Sequence, residues 1–137
     1  MIAAYYQKDF DRIFNIGDSA LVIAPANKRI LGSCFDIAWN QQKDTSKALH
    51  YLKIAVEQHP FDKYFVTNYS WLLLLNGQVI KALPVCTKAY HLDRSSVSAI
   101  INYAHSMSLM GIKTLASELY EEAMALTTSM DAYLQSQ

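Results

Sequence analysis

The sequence carries no net charge: 12 Lys+Arg stand against 12 Asp+Glu in 137 residues. A nucleic-acid binder normally shows a basic excess or stripe, so no nucleic-acid partner is expected. Cysteine is scarce. Cys34 and Cys86 cannot build a disulfide framework, and a chain of this length does not need one. They read as one buried and one half-exposed thiol in a reducing, cytoplasmic setting. No apolar run approaches the ~18–20 residues that cross a bilayer, so membrane insertion is not expected. No basic segment followed by a long apolar stretch opens the chain in the manner of a signal peptide. Charged residues make up only 18%, but hydrophobic ones reach 52%. That balance excludes intrinsic disorder and suffices for one domain with a real core.

Catalytic and metal-binding patterns are missing as well. None of the histidines at 50, 59, 91 and 105 pairs with Cys, His or a carboxylate at metal-ligand spacing, so no metal and no cofactor is expected. His59 and His91 fall near helix ends, where an imidazole complements the helix dipole. Glu118, Glu121 and Glu122 read as a solvated helix face and not as a catalytic pair. No phosphate-cradling glycine loop or nucleophile elbow occurs. The expectation is a non-enzyme.

What is present is a repeat. Ala48, Ala82 and Ala116 are 34 residues apart, as are Ala55, Ala89 and Ala123. Phe35, Tyr69 and Tyr103 share that interval, as do Asn68 with Asn102 and Gly77 with Gly111. Ile13, Ala20 and Pro25 precede Ala48, Ala55 and Pro60 by 35. Apolar residues at three- and four-residue spacing predict helices near 10–24, 28–42, 45–58, 63–76, 78–92, 96–110, 112–127 and 130–136. Asp9, Asp44, Asp62 and Ser95 stand where helix starts need caps, and Gly77 and Gly111 where helices must stop. Pro84 falls inside a helix and predicts a bend or break at 80–84. The alanine columns mark places where helices approach closely and a larger side chain would overpack. The expected fold is all-α, built from antiparallel helix pairs.

In these columns, turn glycines and prolines the chain resembles a tetratricopeptide repeat, whose period is 34 residues. The resemblance covers essentially the whole chain and implies a right-handed superhelical solenoid, one domain over 1–137. Its parts are a partial repeat at 1–27, repeats at 28–62, 63–96 and 97–130, and the start of a further or capping helix at 131–137. Departures are Ile13 for an alanine, Lys43 for a turn glycine, Asp36 for a small residue, and Arg94 and Thr128 where a proline would close the repeat. Residues 1–7 read as the tail of a first helix. Ala3, Tyr5, Tyr6, Tyr133 and Leu134 would then leave apolar end faces, expected either because the chain is a segment of a longer solenoid or because it forms a homodimer through them.

The resemblance further implies that the first helix of each pair lines a groove for a protein or peptide partner. Carried over by frame, that lining is Ile37, Asn40 and Gln41, then Tyr64, Thr67, Asn68, Trp71 and Leu75, then Asn102, His105 and Leu109. The family's carboxylate clamp lacks its basic residues here. Asn68 and Asn102 are similar to its ladder of asparagines, which hydrogen-bonds a peptide backbone; the other reading is that each bonds a neighbouring helix or water. Cys34 stands where a third rung would fall. A non-catalytic interaction module is the leading reading. A bacterial-type secretion chaperone and a structural or self-associating segment are the alternatives.

Overall fold

The structure is a computed structural model that describes the backbone of residues 2–137 and side chains from Asp9 onward. The described residues form seven α-helices and no strand: α1 (Ile2–Ile23), α2 (Lys28–Asp36), α3 (Thr45–Gln58), α4 (Lys63–Leu75), α5 (Val79–Leu92), α6 (Val97–Leu109) and α7 (Lys113–Gln135). A π-helical turn, Ile37–Gln41, extends α2. The chain divides into two compact units, Met1–Pro60 and Phe61–Gln137.

In the first unit, α1 and α3 pack on α2 around Phe14, Leu31, Cys34, Phe35, Ala38, Ala48, Tyr51, Leu52 and Ala55, all buried. Phe14 stacks on Tyr51 with ring centroids 5.7 Å apart. The Tyr51 hydroxyl donates to Asp18 Oδ1 at 2.7 Å. Asn27 caps α2, its Oδ1 accepting from the Ile30 N–H at 3.1 Å. Asp44 caps α3 in the same way through the Lys47 N–H at 3.0 Å.

In the second unit, α4 pairs with α5 and α6 with α7, while α6 also packs on both helices of the preceding pair. The alanine columns lie in the core: Ala82, Ala89, Ala116 and Ala123 are buried. Ser70 and Ser106 are buried too, and each hydroxyl donates to the carbonyl three residues back, Thr67 and Tyr103, at 2.7 Å. Their polar atoms are therefore satisfied within their own helices. Burial pushes the pKa of the Cys86 thiol of α5 up, partly offset by the Ser70 and Ser106 hydroxyls. α4 and α6 end on Gly77 (φ 76°) and Gly111 (φ 84°). Beyond each glycine the next N–H returns to a helix carbonyl, Gln78 to Leu73 and Ile112 to Met107, both at 2.9 Å. This is the left-handed stop that glycine adopts without strain.

Several local expectations are corrected. Residues 2–23 form one helix, so Asp9 lies inside α1 and caps nothing. Residues 131–135 belong to α7 and do not start a new helix. No Gly or Pro interrupts that stretch, so the helix runs on; the hydroxyls of Thr127, Thr128 and Ser129 fold back onto carbonyls four residues earlier at 3.0 Å. Ser96, and not Ser95, caps α6, accepting from the Ala99 N–H at 3.2 Å. Ser95 instead donates its N–H and hydroxyl to Asp93. α5 runs on through Pro84, so of the bend or break expected at 80–84 the break does not occur. The ring sits on an exposed face, where crowding is relieved toward solvent. Both thiols are buried; Cys34 faces α1, not a groove, because Gly17 leaves it room.

Candidate functional site

Residues three and four apart share a helix face. On α4 one stripe, Phe65, Val66, Tyr69, Leu72 and Leu73, is buried. The stripe beside it is Tyr64, Thr67, Asn68 and Trp71. On α6 the equivalent stripe is Ser98, Ile101, Asn102 and His105, each one repeat further on. Between these faces lies an open cleft of about 560 Å³. Tyr64, Thr67, Asn68, Trp71 and Asn102 line it, as the sequence reading placed them. Lys63, Asp93, Ser96, Ser98 and Ile101 complete the wall and were not foreseen. The frame itself could have found two of them, since Ser98 and Ile101 stand in register with Tyr64 and Thr67.

The two asparagines differ in state. Asn68 is half-buried and its Nδ2 donates to the Tyr64 carbonyl at 2.8 Å, which holds the amide against its own helix. Asn102 is 6% exposed. Its amide makes no hydrogen bond among the described residues, yet no polar atom there is sealed from solvent without a partner. Its amide therefore keeps some access to solvent, and Asn102 lines the cleft. At one end Lys63 Nζ lies 3.3 Å from Asp93 Oδ2. Asp93 is held below the usual carboxylate range chiefly by the Ser95 hydroxyl, then by the Ser95 N–H and Lys63. This end of the cleft carries one positive and one negative group that already satisfy each other.

The other expected lining residues lie elsewhere. Leu75 and Leu109 end α4 and α6 and are exposed. His105 is exposed, and its Nδ1 pairs with the Tyr120 hydroxyl of α7 at 2.7 Å. In the first unit, Ile37, Asn40 and Gln41 fall in the π-helical turn, whose wider winding breaks the α-helical stripe. Asn40 Nδ2 there donates to Asp36 Oδ1 at 3.5 Å. The first unit has its own open cleft, walled by Phe14, Asp18, Asp44, Lys47 and Tyr51 among others. Of the residues expected at end faces, Tyr133 and Leu134 are exposed; the side chains of Ala3, Tyr5 and Tyr6 lie outside the described residues. Among the described residues no cluster of His, Cys, Asp and Glu could hold a metal ion, and no helix is long and apolar enough to cross a membrane.

No family model matches the chain, and no curated protein matches it. Solved structures do. The MamA RS-1 ArsTM double mutant superposes with a TM-score of 0.74 at 20% identity, over 95% of this chain and 72% of that one. MamA from Desulfovibrio magneticus RS-1, residue 41 to the end, gives 0.71 at 20% identity over 95% and 73%. The Arabidopsis OM64 TPR domain gives 0.65 at 18% identity over 72% and 80%. At such identities the likeness is one of fold, and it agrees with the 34-residue frame, the alanine columns and the helix pairs. The chain is an all-α protein with the tetratricopeptide-repeat fold.

Proposed function

We propose that the chain is a non-catalytic protein-interaction module, and that the cleft between α4 and α6 takes a peptide or partner segment in extended form. The observation that carries this reading is Asn102. Its amide is nearly buried, faces the cleft and lacks a partner among the described residues. An amide offers donors and an acceptor together, and an extended backbone presents N–H and C=O groups that match both. A helical segment has spent those groups on itself except at its ends. Trp71 and Ile101 in the same wall supply apolar area for an anchoring side chain, and aromatic anchors dominate interface energetics. With Lys63 and Asp93 mutually paired, the site favours a weakly charged segment, whose binding depends little on salt.

The test is selection from a random-peptide display library, followed by titration of the selected peptides against variants. Trp71→Ala should weaken binding by ~2 kcal/mol or more, and Asn102→Ala by about 1 kcal/mol. Lys53→Ala, in the first unit, should leave it unchanged. Failure to select any peptide, or binding that survives both cleft substitutions and vanishes at high salt, would overturn the reading.

A further inference from the structure

The second unit exposes aliphatic side chains at one edge. Leu75 closes α4, Ile80 opens α5, Leu109 closes α6, and Met110 and Ile112 form the turn into α7. Their exposures are 56% for Leu75, 80% for Ile80, 63% for Leu109, 43% for Met110 and 46% for Ile112. The two turns are one repeat apart in stacked helix hairpins, so they lie along the same edge of this unit. Lys81 and Lys113 stand beside them, both exposed. Neither 75–81 nor 109–114 contains an Asp or Glu. The fold does not require this composition. The same repeat positions in the first unit, 41–47, read Gln-Gln-Lys-Asp-Thr-Ser-Lys, and that turn forms with polar residues throughout.

We infer that this edge is a contact surface for an anionic lipid bilayer, on which the protein lies without spanning it. Aliphatic tips with one lysine following each turn, and no acid among them, match the interface between acyl chains and anionic headgroups. The aliphatic side chains enter the acyl boundary, while the lysine stems lie along it and their ammonium groups reach headgroup phosphates. The edge is separate from the cleft: of its residues none lines the cleft wall described above.

The test is co-sedimentation of the full chain with phosphatidylcholine vesicles containing about one-third phosphatidylserine, against phosphatidylcholine alone. Binding to the anionic vesicles only, falling as salt rises, is the expected result. Ile80→Ser with Leu109→Ser, and separately Lys81→Gln with Lys113→Gln, should each reduce binding roughly tenfold or more. Lys53→Gln and Asn102→Ala should not, which separates this surface from the cleft. Circular dichroism confirms that each variant is folded. No binding to anionic vesicles, or binding indifferent to both double substitutions, would overturn the inference. So would capture of a protein through Ile80 and Leu109 while anionic vesicles stay unbound.

Discussion

The Cys34 sulfur occupies the space that a β-carbon on Gly17 would need: the two would be 2.7 Å apart. α1 passes α2 this closely only because glycine has no side chain, and the thiol is buried, so moving it aside disturbs the packing around it. Gly17→Ala gains ~1 kcal/mol of helix propensity but suffers overpacking of ~1–3 kcal/mol. A net loss of about 1 kcal/mol is expected in urea denaturation. Adding Cys34→Ala should relieve the clash, so that the pair shows strong coupling in a double-mutant cycle. Additive losses would show that the contact does not control the spacing.

Lys43 adopts φ 54°, at the repeat position that Gly77 and Gly111 fill in the second unit. A side chain in that left-handed region costs ~1–2 kcal/mol, partly offset by its ammonium lying 5.5 Å from the centre of the Trp39 ring. Lys43→Gly should therefore stabilise the protein by about 0.5–1 kcal/mol. A lower melting temperature would mean that the contact with Trp39 outweighs the strain.

Tyr51 links stability to alkaline pH. Burial first, and then the hydrogen bond to Asp18, raise its pKa above the ordinary value of 10.0. The folded state thus favours the neutral phenol. Its contribution is complete below pH 10 and is lost as pH climbs beyond that, because only the unfolded chain ionises there easily. Tyr51→Phe should cost about 1 kcal/mol at neutral pH, since exposed Asp18 regains water. It should also flatten the fall in melting temperature above the tyrosine range. Parallel pH profiles for the two proteins would contradict the assignment.

Pro84 leaves the Ile80 carbonyl without its helical partner, although α5 continues past it. Restoring the missing N–H with Pro84→Ala should stabilise the chain by about 1–3 kcal/mol, because the ring's exposed position involves little packing to lose. A destabilised variant would show that the ring packs in a way its exposure does not reveal.

The fold was legible because tight helix contacts demand small side chains at fixed intervals, and Ala48, Ala82 and Ala116 record that demand directly. The cleft was legible where two repeats agreed, as at Asn68 and Asn102. It was not legible where loops contribute. Lys63 and Asp93 meet only once the chain folds, across 30 residues, and no helical period announces such a pair. His105 stands in register with Trp71, but the frame could not show that Tyr120 would take its ring nitrogen. The π-helical turn at 37–41 escaped for a similar reason, since its residues carry ordinary helical spacing. The breaks expected near 8–10 and 128–130 followed the period of the repeat, whereas the backbone obeyed the local absence of glycine and proline.

From Thr127 to Gln135 every side chain of α7 is exposed, so nine residues, about 13 Å of helix at the usual rise, hold their shape without lateral support. A helix of that length is marginal in isolation. Its support comes from the buried turns before it, around Ala116, Leu119 and Ala123. The second unit's cooperative core therefore stops short of the helix that carries it. Trimming those last residues would shorten the molecule without loosening the cleft.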